Sequence, residues 1–239
     1  MEGSKGQAKA IDTLKEGLIN AGRILVAEDQ GDFIFGHVTA RLPEDPGLFL
    51  MKPHTIGLEE ITPDNLITLN LEAEKVAGHM PRHLEAFIHS EVLRARPDVQ
   101  AVVHTHAPHA VAFSALGRPL QPIGHDGAMF ANGLPVFSET TDLIVDQQRG
   151  KAVARALGDH NAVLLRNHGI VTTGRTIEEA TILALFLESA CKAQLLVEAC
   201  GGAKHVSTPD DAKAKIGRLL PQCCSVFNYL TRCIKRGDR

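Results

Sequence analysis

The stretch Ala101-Val102-Val103-His104-Thr105-His106-Ala107-Pro108-His109 decides how the rest of the chain is read. A short apolar run delivers two histidines two positions apart, and Pro108 can then open a helix at its first turn, running to about Ala115. On a β-strand side chains alternate faces, so residues at i and i+2 point the same way. Two imidazoles on one side of a strand end can grip the same divalent cation. A third candidate is His168, in Leu164-Leu165-Arg166-Asn167-His168-Gly169-Ile170, again directly after an apolar run. Three neutral imidazoles leave a coordination position open, which a catalytic site requires and a structural site does not.

Immediately upstream, Leu84, Ile88 and Val92 repeat every four residues and predict a helix over Leu84–Arg94, ended by Arg96-Pro97 because proline disfavours helix in its predecessor. Glu85 and His89 are one turn apart on that helix and share a face. A glutamate aimed at a histidine-rich site can serve as a further ligand or as an acid/base. Further out, Ile11, Leu14, Leu18, Gly22 and Leu25 predict an amphipathic helix over residues 11–27, broken at Glu28–Asp32. Residues 33–41 and 48–51 read as strands around the turn cluster Pro43–Gly47, and 66–71 as extended after a turn or helix start at Thr62-Pro63-Asp64. Downstream come apolar runs at 134–137 and 162–165, with a helix around 151–157 between them. The longest helical pattern is Ile177–Cys200, with Thr176 as N-cap, Glu178 and Glu179 at the positive end of the dipole, and Gly201-Gly202 as the stop. Another helix is expected over 208–219, opening at Thr208-Pro209-Asp210. No repeat, linker or low-complexity tract interrupts the chain, so one α/β domain over residues 1–239 is expected.

The composition is that of an ordinary globular protein: 239 residues, 44% hydrophobic, 22% charged, net charge −3. No basic excess points to nucleic acid, and with 4% aromatics, no Trp and one Tyr, base-stacking platforms are not expected. The first residues carry no apolar signal-peptide core, and no run is expected to approach a membrane span. Five cysteines (Cys191, Cys200, Cys223, Cys224, Cys233) crowd the last quarter without Cys-x-x-Cys spacing, which fits free thiols and a cytoplasmic location.

The run Glu85…His89…Arg96-Pro97-Asp98-Val99-Gln100-Ala101-Val102-Val103-His104-Thr105-His106 resembles the class II aldolase/adducin family. So does Arg166-Asn167-His168-Gly169 followed by Gly174-Arg175-Thr176-Ile177-Glu178-Glu179-Ala180, and the likeness runs colinearly from about Leu18 to Cys200. The resemblance implies a single α/β domain with a central, mainly antiparallel β-sheet flanked by helices. It also implies fourfold-symmetric homotetramers with active sites at subunit interfaces. By the same match His104, His106 and His168 are ligands of one divalent ion per subunit, and Glu85 is the acid/base. Three imidazoles suit Zn, Mn or Fe(II).

The departures from the family point to the substrate. Its sugar-phosphate aldolases cradle phosphate with a Gly-Asn, a Ser-Gly and a Ser-Ser pair, where this chain has Gly36-His37, His54-Thr55 and His83-Leu84. Position 125, a tyrosine supplied by the neighbouring subunit in those aldolases, is His125 here. Phe35-Gly36-His37-Val38-Thr39-Ala40-Arg41 and Glu85-Ala86-Phe87-Ile88-His89 instead look like the family's decarboxylase branch, which acts on hydroxylated aromatic or ring-cleavage acids. His37, His54, Arg82, His83 and His125 are then the expected donors to substrate carboxylates. The leading expectation is a metal-dependent, non-oxidative decarboxylase of a hydroxyaromatic acid such as a dihydroxyphthalate. The alternatives are a class II aldolase acting on a sugar- or hydroxy-acid-type substrate, and an adducin-like scaffold without activity.

Overall fold

The structure, a computed structural model, describes residues 2–238. In chain order its elements are α1 (Glu2–Ala27), β1 (His37–Arg41), β2 (Leu48–Met51), β3 (Ile67–Asn70), β4 (Lys75–Ala77), α2 (Ala86–Ala95), β5 (Ala101–Thr105), α3 (Pro108–Ser114), β6 (Val136–Phe137), α4 (Gln147–Leu157), β7 (Ala162–Leu165), β8 (Gly169–Gly174), α5 (Ile177–Ala199), α6 (Pro209–Leu219) and α7 (Cys223–Arg236). The strands form one sheet in the order β4-β3-β2-β1-β5-β8-β7-β6. Every pairing is antiparallel except β6 with β7.

β5 lies in the middle of this sheet, and all five of its residues are buried. Its alternation separates two cores. Ala101 and Val103 join the cluster that contains Leu18 and Ile24 of α1, Phe113 of α3, Leu183 and Leu187 of α5, and Phe227 and Leu230 of α7. Val102 joins the cluster on the other face, with Ile88 and Val92 of α2 and Val153 and Leu157 of α4. The sheet is therefore covered on both faces, which is why β5 and β7 read as continuous apolar runs. His104, in phase with Val102, points to the α2 side. On β1 the same holds for His37 and Thr39, because Val38 and Ala40 belong to the opposite core.

Several termini follow their local chemistry. The Thr176 hydroxyl accepts from the Glu179 N–H at 3.1 Å, Thr208 does the same for Asp211 at 3.1 Å, and Pro108 occupies the first turn of α3. Gly201 and Gly202 end α5 with φ of 97° and 91°, a region that glycine enters without strain.

Several features differ from the sequence-based expectations. The strand expected from residue 33 begins only at His37, because Phe33 (φ 48°) and Gly36 (φ 69°) turn the chain through left-handed conformations. The helix expected from Leu84 begins at Ala86, with Glu85 as its N-cap. β4, β8 and α7 had no counterpart in the expectations. Finally, α5 is long and apolar enough to cross a bilayer, with mean hydropathy 1.5 over its most apolar window. That window is 56% buried, and the helix packs on α3 and β8 and carries the buried polar residues Thr181 and Gln194. Core burial thus accounts for its composition.

Candidate metal centre

Strand pairing assembles the site. β1 and β5 pair with His37 opposite His104, and β5 and β8 pair with His104 opposite Val171 and Thr105 opposite Ile170. His106 follows just beyond the end of β5. His168 occupies the turn between β7 and β8, where Asn167 takes φ 55° and its N–H donates to the Ser114 hydroxyl at 2.9 Å. Gly169 lets this turn approach. A Cβ there would lie 2.5 Å from the Thr105 carbonyl oxygen and 3.1 and 3.2 Å from atoms of the His106 and His104 rings. From the other side, Glu85 reaches in from the start of α2. One ligand atom each from Glu85, His104, His106 and His168 all lie within 4.8 Å of one another.

The hydrogen bonds decide which ring nitrogens face inward. Nδ1 of His104 donates to the Ile170 carbonyl at 2.8 Å, and Nδ1 of His106 donates to Asp32 Oδ2 at 2.8 Å. With Nδ1 protonated, the Nε2 lone pairs of both rings are directed at the cluster. The Nε2 atoms of His104, His106 and His168 are buried and have no hydrogen-bond partner. Nε2 of His104 is 3.8 Å from Glu85 Oε2, and Nε2 of His168 is 3.5 Å from Glu85 Oε1. Bare lone pairs gathered around a buried carboxylate carry a large desolvation cost. A divalent cation removes that mismatch, and this donor set fits one.

Electrostatics agree. Burial of Glu85 alone raises its pKa, but His168 and His37 beside it outweigh burial and hold the carboxyl below its ordinary range. Its Oε1 also accepts from the Ile144 N–H at 2.9 Å. Burial, reinforced by neighbouring His83, keeps His37 neutral far below its usual pKa. Burial likewise depresses His104, against the opposing pull of Glu85.

The five residues expected to contact substrate are distributed unevenly. His37 and His83 are buried beside Glu85, with ring centroids 4.1 Å apart, and His37 Nε2 is 3.8 Å from Glu85 Oε2. His54 follows them, its ring centroid 5.1 Å from that of His83. Arg82 turns outward from this group: its guanidinium donates to the His83 carbonyl at 3.1 Å and stacks over the Phe87 ring at 5.2 Å. His125 is exposed on the turn before the 3-10 helix Gly127–Phe130 and is not gathered into the group by this chain.

Sequence reasoning passed over Asp32, Thr39, Lys52 and the position of His89 behind His37. Lys52 is fully buried, and its ammonium donates to the carbonyls of Ile34 at 2.6 Å and Gly36 at 3.0 Å, clamping the loop before β1. Burial brings its pKa down to about 8. The contacts of Asp32, His89 and Lys52 span 74, 52 and 18 residues, and no local pattern announces them.

Comparison with known proteins adds family context. A family model described as the class II aldolase and adducin N-terminal domain matches residues 16–195. A Streptomyces roseochromogenus subsp. oscitans protein described as 4-hydroxy-3-prenylphenylpyruvate oxygenase/4-hydroxy-3-prenylbenzoate synthase is 37% identical over 193 residues, covering 80% of this chain and 68% of that protein. The 3,4-dihydroxyphthalate decarboxylase of Arthrobacter keyseri is 30% identical over 230 residues, covering 91% of this chain and 90% of that one. Among solved structures, L-fuculose 1-phosphate aldolase from Glaciozyma antarctica PI12 superposes with a TM-score of 0.83 at 30% identity, covering 96% of this chain and 92% of that chain.

Proposed function

Because the chain belongs to the class II aldolase/adducin family, we propose that it is a divalent-metal-dependent lyase that removes CO2, without net oxidation, from a hydroxylated aromatic mono- or dicarboxylic acid. The observation that carries this reading is the joining of two groups at Glu85: three unpartnered histidine Nε2 atoms on one side, and His37 with His83 on the other. The first group suits a cation, and the second suits the oxygens of an anionic substrate. Likeness to a dihydroxyphthalate decarboxylase over nine-tenths of both chains supports the substrate class.

A cation at the three histidines supplies Lewis-acid stabilisation of the charge left on oxygen when the C–C bond breaks. His104 and His106 keep their Nε2 lone pairs inward through Nδ1 bonds to Ile170 and Asp32. Glu85 begins ionised, so it first accepts a proton, that of the substrate hydroxyl ortho to the scissile carboxylate. It then delivers that proton to the ring carbon bearing the carboxylate, giving the ring-ketone tautomer from which CO2 departs and leaves a phenolate. One proton moves from oxygen to carbon through Glu85, and no electrons are gained or lost. His37 and His83, with His54 beside them, hold the second carboxylate, while His125 reaches a site only from a neighbouring copy in a homotetramer. The ion is Zn, Mn or Fe(II).

The test is CO2 release from ortho-hydroxy aromatic diacids by the metal-loaded protein, with aldehyde release from ketose phosphates measured alongside. CO2 under argon at the same rate as in air is the expected result. Aldehyde without CO2 would restore the aldolase reading. A second reading, oxidative decarboxylation, is favoured by the 37% identity to a protein described as an oxygenase, and it requires CO2 release to stop under argon.

A further inference from the structure

Behind His37 runs a buried line of hydrogen bonds. Its Nδ1 is 2.6 Å from His89 Nε2, and His89 Nδ1 is 2.8 Å from the Thr39 hydroxyl. All three residues are buried. Each ring–ring or ring–hydroxyl contact holds one proton, so the line has two directions, and the charge at one end selects between them. At one end, the Thr39 hydroxyl has the His89 nitrogen at 2.8 Å and its alternative acceptor, the Val102 carbonyl, at 3.4 Å. Thr39 can give its one proton to either acceptor, so this end fits both directions. At the other end, His37 Nε2 faces Glu85 Oε2 at 3.8 Å, where a proton is attracted and a bare lone pair repelled. The Glu85 end therefore selects the direction: His37 carries its proton on Nε2, its Nδ1 accepts from the His89 Nε2–H, and His89 Nδ1 accepts from the Thr39 hydroxyl.

His83 reaches the same outcome by a different route. Its Nδ1 accepts the Glu85 backbone N–H at 3.4 Å, so the proton of a neutral ring lies on Nε2. The Nε2 atoms of His37 and His83 are both buried without a partner. They are therefore two inward N–H donors with nothing to donate to.

We propose that His89, backed by Thr39, is a positioning residue that fixes His37 as an Nε2–H donor, and that His37 and His83 form a two-donor seat for a substrate carboxylate beside the metal centre. The seat is the opposite of His104 and His106 a few ångströms away, where Nδ1 holds the proton and Nε2 is bare. It follows that His37 and His83, although close enough to Glu85 to suggest a second cation, bind an anion instead. The carboxylate assignment rests on the proposed function; the direction of the hydrogen-bond line does not.

The experiment uses protein labelled with 15N-histidine, loaded with Zn. Two-dimensional NMR should find His37 protonated at Nε2, assigned by its loss in His37→Gln. In His89→Gln, whose amide can still donate to His37 Nδ1, this tautomer should persist; in His89→Leu, which leaves Nδ1 without a donor, it should no longer be the single form. Phthalate, which lacks the hydroxyl needed for turnover, serves as the binding probe. Its affinity should fall 10-fold or more in His89→Leu and within about 3-fold of wild type in His89→Gln, while its dimethyl ester distinguishes none of the three. A bare His37 Nε2 in wild type, or a second Zn per chain that is lost in His37→Gln, overturns the proposal, and neither result depends on the leucine variant folding. If the tautomers are as stated and phthalate binds, yet no hydroxy acid releases CO2, the proposed function fails and this assignment stands. CO2 release with the opposite tautomer leaves the function standing and sinks the assignment.

Discussion

At the scale of single residues the site separates ligands from a proton carrier. His168 lies on a turn, 7% exposed, and among the described residues its Nε2 serves no hydrogen bond. Removing it should cost the fold little and the cation much. His168→Ala is expected to lose most bound divalent metal by elemental analysis while keeping its far-ultraviolet circular dichroism; full occupancy would remove His168 from the ligand set. Glu85→Gln is a different probe. The amide oxygen can still accept from the Ile144 N–H, so the loop is held, but the side chain can no longer take up a proton from oxygen and pass it to carbon. We expect kcat to fall by roughly 10²-fold or more with KM changed far less, the usual scale for loss of general acid–base help. An unchanged kcat would make Glu85 a ligand or a structural group only.

At the scale of elements, the β7–β8 hairpin governs how closely the third histidine approaches the other two. Gly169 sits where a Cβ would meet a backbone carbonyl at 2.5 Å, and backbone cannot swing aside as a side chain can. Gly169→Ala should therefore push β8 from β5, destabilising the protein by about 1–3 kcal/mol as overpacking does. It should also weaken metal binding, read together as a lowered Tm and reduced occupancy. A normal Tm with normal occupancy would show that the hairpin shifts freely. This hairpin also marks the limit of what sequence patterns disclose. His104 and His106 were legible because a strand has period two, and α5 because its cap, length and glycine stop agree. β8 reads Gly-Ile-Val-Thr-Thr-Gly, buried throughout, so no polar alternation betrays it as a strand. α7 buries Cys223, Phe227, Leu230 and Cys233, a helical spacing that emerges only when cysteine is counted as apolar. The line Thr39–His89–His37 was hidden for another reason: its members meet only once β1 and α2 are packed together.

For the molecule as a whole, placing neutral imidazoles in the core makes stability depend on pH. Burial brings both His83 and His89 down to about 3, against an ordinary value of 6.5. Between those limits the unfolded chain binds protons at both positions and the folded chain does not. By linkage, stability is then fully present above pH 6.5 and falls as pH drops toward 3. Each ring costs about 1.4 kcal/mol per pH unit once the unfolded histidine is mostly protonated. Between pH 7 and pH 5 the two together remove on the order of 4 kcal/mol, set against typical total stabilities of about 5–15 kcal/mol. Glu85 adds to the loss at lower pH: with its folded pKa held down by His168 and His37 against burial, its contribution is lost as pH falls below the ordinary carboxylate value of 4.5. Urea unfolding of the chelated protein at pH 7, 6 and 5 should show this decline. His89→Gln, which removes one titrating ring, should be less steep by about 1.4 kcal/mol per pH unit over the lower part of that range. Metal binds only the folded, deprotonated site, so the loaded protein should resist acid to a lower pH than the chelated one. A stability flat from pH 7 to pH 5 in the chelated protein would mean that these rings are hydrated in solution, and the dry histidine core on the α2 face would have to be abandoned.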